Sequence, residues 1–144
     1  MVIGDESARV ELAVREVIAP PAPSRGDVWL AAAVVCGAFR GANPSVYIER
    51  AEWEAFAAAL VALERVRAGE AVLRSESPND LRLRVYARDR AGHLAVEGHV
   101  GTDVFLGGVS RPLTLAFAFE LDPGRLPGAV RDLLNLRADG AAAA

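Results

Sequence analysis

Lysine and glutamine are missing from this 144-residue chain, and cysteine, methionine and histidine nearly so, at one, one and two residues. A lone cysteine, Cys36, leaves no disulfide framework and no cysteine-rich zinc site. Inside the run VWLAAAVVC it is expected to be a small buried hydrophobe rather than a nucleophile. Every basic residue is an arginine, sixteen against nineteen Asp and Glu, for a net charge of −3. That balance lacks the positive excess on which binding nucleic acid by charge rests. The surplus of Ala, Arg and Val reflects coding bias rather than function. Long apolar runs are absent as well. The longest, 28–36 and 55–63, hold nine residues each, against the roughly 20 a membrane-crossing helix takes. The N-terminus, MVIGDESARVEL, has neither the basic start nor the apolar centre of a secretory signal. A cytoplasmic protein without membrane contact is therefore expected.

What is present suffices for one core. Apolar residues make up 52% of the chain; 28 of them are Ala, which leaves 47 others, among them 17 Val and 16 Leu. This suits a single domain over 1–136 with a flexible tail at 137–144, where ADGAAAA has nothing to bury. No internal repeat is visible. Alternation predicts a half-buried strand over 9–18, where Val10, Leu12 and Val14 share a face. APPAPSRG (19–26) follows as a loop. Residues 27–39 are apolar on both alternations, which predicts a central strand covered on both sides. Asn43-Pro44 breaks the chain before a short strand at 46–48. Trp53, Phe56, Leu60 and Leu63 then recur at helical spacing and predict a helix over about 50–68. Glu49, Glu52 and Glu54 at its start and Arg65 and Arg67 at its end suit the helix dipole. Strands are expected again at about 71–76, 81–88, 93–100 and 113–121, and a short amphipathic helix at about 125–136. The fold class is thus α+β: a mostly antiparallel sheet of about 6–7 strands, strongly curved or two-layered, with one main helix. Trp29, Trp53, Phe56, Leu60, Phe117 and Phe119 are expected to meet in the core.

One pairing can be set in register. A four-residue turn, Asp89–Gly92, places Arg88 opposite His93, Val85 opposite Val96, Leu83 opposite Gly98 and Arg84 opposite Glu97.

Candidates for chemistry are few. His93 and His99 lie on one strand about 20 Å apart, too far to share a metal ion. Glu49, Glu52 and Glu54 have no nucleophile or basic partner in sequence. Gly107-Gly108 lacks the lysine of a phosphate loop. No catalytic residue, cofactor or metal is expected. Two stretches could instead meet a partner. Arg82, Arg84, Tyr86 and Arg88 form a basic stripe with one aromatic. It is either a nucleic-acid platform or, as favoured here, a solvated face neutralised by Glu97 and Glu76. The segment GTDVFLGGVSRP (101–112) joins two strands by a loop longer than a hairpin needs. Its Asp103, Val104, Phe105 and Leu106 either tuck back under the sheet or present an aromatic anchor.

The element order, with Asp27-Val28-Trp29-Leu30, the helix from Glu52-Trp53 to Leu60, Arg90–Val96 and Leu115–Asp122, resembles the WapI-type bacterial immunity family and a related uncharacterised bacterial group. Glu76, Pro78 and Asn79 stand, with altered spacing, where such proteins carry an F-T-E-P-N-L-type segment. The resemblance implies a non-enzymatic immunity protein that binds and blocks a polymorphic toxin domain, without fixed binding residues to carry over. The alternative is a structural or small-ligand-binding domain with a different partner.

Overall fold

Two antiparallel four-stranded meanders, each followed by a helix, make up the chain in a computed structural model that describes residues 1–143, with side chains through 136. The tail set apart in the sequence, 137–144, falls outside the fully described residues. The first sheet runs β1 (Val2–Gly4), β2 (Ala8–Val17), β3 (Val28–Cys36), β4 (Phe39–Ile48), in that spatial order. After α1 (Arg50–Val66) the second sheet runs β5 (Glu70–Arg74), β6 (Leu81–Ala87), β7 (Leu94–Leu106), β8 (Val109–Leu121). A 3-10 turn at Pro123–Arg125 leads into α2 (Leu126–Ala143).

The α+β class and the antiparallel pairing agree with the sequence reading, whereas the strand count does not. The described residues form eight strands in two sheets rather than 6–7 in one. β1 is too short to show a period. Asn43-Pro44 does not end a segment, because both residues lie inside β4. The β3–β4 register skips there, Leu30 pairing with Val46 but Ala32 with Asn43. Pro44 thus occupies a bulge on an edge strand, where no ladder N–H is needed. α2 also runs well beyond the expected 136.

β3 is covered on one side only. Val28, Leu30, Ala32 and Val34 are buried, while Trp29, Ala31, Ala33 and Val35 are half-exposed. Trp29 therefore leaves the expected core group. It sits on the outer face, edge-on to Tyr47 at 4.8 Å. The second alternation is apolar because it is alanine-rich, not because anything covers it. Trp53, Phe56, Leu60 and Leu63 do face inward, and Phe117 is buried with Phe119 packed against the cluster. The β6–β7 register is as expected at all four positions: Val85 to Val96, Leu83 to Gly98, Arg84 to Glu97, and the Arg88 N–H donating to His93 O at 2.7 Å.

The two halves answer to one another. α1 packs chiefly on β5 and β6, α2 on β1 and β2, and the helices touch each other. Between the sheets, β4 meets β7, β3 meets β8, and like strands meet as β3 with β7 and β4 with β8. Exchanging the halves, β1–β4 and α1 for β5–β8 and α2, leaves this set of neighbours unchanged. The fold is an approximate two-fold repeat in which each helix covers mainly the other half's sheet.

Candidate protein-docking ribbon

β7 and β8 pair without interruption from Leu94 opposite Leu121 to Leu106 opposite Val109. β6 stops pairing at Val100. Beyond that point β7 and β8 continue alone, as a two-stranded ribbon closed by Gly107-Gly108. Both glycines have positive φ, 58° and 80°, as a two-residue type I′ hairpin turn requires. The expected loop over 101–112 is therefore regular hairpin. A Gly-Gly pair between two apolar runs is itself a hairpin signal, and it was legible.

Alternation divides the ribbon's side chains. Asp103, Phe105, Ser110 and Pro112 stand on the face that carries Glu97 and His99 further down. Val104, Leu106, Val109 and Leu113 continue the core-facing side of the sheet past the end of the core. All but the half-buried Asp103 are uncovered: Phe105 is 72% exposed and Leu106 and Leu113 each 64%. Phe105 does not tuck back under the sheet. Asp103 accepts hydrogen bonds from Asn79 Nδ2 at 2.9 Å and Ser110 Oγ at 3.0 Å. Nearby, partial burial first and the charge of Asp103 second hold the Asp80 carboxyl above its ordinary value. Pro112 sits in an edge strand and offers no N–H there, which discourages strand addition.

At the foot of the ribbon the tip of the β3–β4 hairpin approaches β8 and leaves an apolar cleft of about 250 Å³, lined by Cys36, Phe39 and Leu115–Ala118. Phe39, at its rim, is 70% exposed. Cys36 is half-buried in this wall, its Sγ 3.8 Å from Ala118 O, rather than sealed in the core. Phe39, Val109, Leu113 and Leu115 were not foreseen as site residues. Phe39 and Leu115 come together only where the tip of the β3–β4 hairpin meets the foot of the ribbon, whereas Val109 lies at the ribbon's far end.

The other expected contact residues, Arg84, Tyr86 and Arg88, lie on the same outward face as Asp103 and Phe105 but are not brought to them. Arg84 pairs with Glu97, six residues or about 20 Å along β7 from Asp103. They are engaged in a ladder of ion pairs. Arg84 reaches Glu70 at 2.5 Å and Glu97 at 3.0 Å, with its guanidinium 4.0 Å over the Tyr86 ring, and Arg88 pairs with Glu120. The hydrogen bond from Arg84 lowers the Glu97 carboxyl pKa, and Glu70 and Glu97 raise that of Arg84. Glu70 and Glu120 take the neutralising place expected of Glu76. His93 bonds Asp89 at 2.6 Å and His99 the Pro78 carbonyl at 2.8 Å. Among the described residues no three His, Cys, Asp or Glu cluster to hold a metal ion. Among the described residues, no helix is long and apolar enough to cross a membrane.

Glu49 gives α1 no side-chain cap. The N-terminal amide is instead met by Asp27, just before β3, whose Oδ1 accepts from Arg50 N at 2.8 Å and whose other oxygen accepts from the Tyr47 hydroxyl. That second bond raises the Tyr47 pKa. Within the acidic cluster at the start of the helix, Glu54 approaches the Arg50 guanidinium at 4.0 Å.

No family model, curated protein or solved structure matches this chain.

Proposed function

We propose that this protein is a non-enzymatic protein-binding domain that docks through the β7–β8 ribbon. One observation carries the reading: among the described residues, six of the nine exposed large apolar side chains lie on the ribbon or at its cleft. Scattered exposed leucines need no explanation, but a contiguous apolar projection on a well-packed domain marks an interaction site. In its most specific form, suggested by the resemblance, the partner is a toxin domain and the protein an immunity protein. A slightly acidic surface would speed capture of a basic partner. The cleft supports a second reading, since an apolar hollow of this size would also hold a small apolar ligand.

Affinity capture from the native cell tests the choice. Phe105→Ala is expected to weaken partner binding by about 30-fold, the effect of losing a hot-spot side chain, with thermal unfolding unchanged. Unaltered capture removes the ribbon as the docking surface.

A further inference from the structure

Resting on the docking reading of the ribbon, we infer that its occupant is a second copy of this chain. Phe105 of each copy enters the cleft beside Phe39 of the other, and Asp103 faces Arg40. The shape of the tip comes first. Each face carries exposed apolar side chains, Phe105 beside Asp103 and Ser110 on one, and Val104, Leu106 and Val109 beside Arg111 on the other. A bilayer would surround the tip, but the ribbon's open strand edges would carry unpaired backbone groups into hydrocarbon. A protein can accept those edges.

This chain itself presents a hollow that suits the Phe105 side chain. The cleft of about 250 Å³ is apolar and open to solvent, and an apolar cavity of about 150 Å³ already holds a benzene ring. Phe105, exposed on its own chain, does not fill it. Charge gives the register. Asp103, two residues before Phe105 and on the same face, has no cationic partner among the described residues, and Arg40, next to Phe39, has no carboxylate partner among them. A two-fold arrangement makes both contacts reciprocal, so each copy supplies one projection and one hollow. A stable interface takes about 800 Å² from each side. The exposed apolar side chains of ribbon and cleft, at 150–250 Å² for a whole aromatic, supply roughly 600 Å² of it.

Sedimentation velocity of the full chain at about 1–100 µM in about 0.15 M salt is the test. The wild type is expected to shift from monomer to dimer across this range. Asp103→Arg and Arg40→Asp, each alone, are expected to weaken the dimer at least about tenfold by setting like charges together. An equimolar mixture of the two variants restores it. The arginine introduced at 103 then meets the aspartate introduced at 40, and the untouched Asp103 and Arg40 meet each other. Phe105→Asp, at a largely exposed site, abolishes association, and circular dichroism checks that each variant is folded. A wild type that stays monomeric throughout, or a mixture no tighter than its components, overturns the inference. A monomer whose capture of another protein still depends on Phe105 overturns it while leaving the docking reading in place.

Discussion

Asn43 is buried and uses both ends of its amide: Nδ2 donates to Gly101 O at 2.7 Å and Oδ1 accepts from Ser45 N at 2.9 Å. The first bond ties the edge of one sheet to the root of the ribbon on the other. Asn43→Ala leaves the Gly101 carbonyl without that donor, and is expected to cost about 1–3 kcal/mol. Calorimetry should show a melting temperature lower by about 4–10 °C. Asp80 acts in the opposite sense. Its carboxyl is held above the ordinary 3.8, so the folded state binds its proton more tightly than the unfolded state does. Stability is lost as pH rises from there through the folded pKa. Asp80→Asn is therefore expected to raise the melting temperature at pH 7 and leave it unchanged near pH 2.5; a fall at pH 7 would reverse the assignment. Legibility at this scale was uneven. Which residues alternate was plain, but not which alternation meets the core. Trp29 and Phe105 both look like core residues in sequence, and both face outward, because apolarity states a preference and only packing grants the place.

At the level of elements, α1 shows why spacing is a partial guide. Its apolar stripe was readable from Trp53 to Leu63, but its cap comes from Asp27, 23 residues away. Only the folded sheet brings that carboxylate to the helix end. Asp27→Ala removes the cap and the Tyr47 bond together, and is expected to destabilise the fold by about 1–2 kcal/mol. Amide exchange of residues 50–53 should quicken before that of the helix centre. The β6–β7 hairpin was legible in full because its two strands adjoin and both faces constrain the register. β4 and the ribbon were not. Asn43-Pro44, a pair that commonly ends a strand, lies within a bulge of β4, and Gly107-Gly108, a legible hairpin signal, closes a segment whose length alone reads as a loop.

For the whole molecule, the exchange of helices between sheets predicts that neither half folds alone. Fragments 1–68 and 69–144 should each be unfolded by far-UV circular dichroism and acquire native structure only on mixing. A cooperatively folded single fragment would contradict this. The repeat is invisible in sequence because the two halves share the order of their elements and the pattern of their contacts, not residue identities. The candidate site lies where the repeat is broken, at the hairpin that outgrows its counterpart. β3 and β4 turn at Gly37-Ala38, whereas β7 and β8 run on for 13 residues each.

The crossed helices also bear on how the chain is made. The first sheet is complete once Ile48 has left the ribosome, but α2, which covers β1 and β2, begins only at Leu126. For nearly eighty residues of synthesis, the apolar faces of β1 and β2 wait without their cover. Over that interval the nascent chain is a natural client for a holdase, and slowing translation would lengthen the exposure rather than help folding.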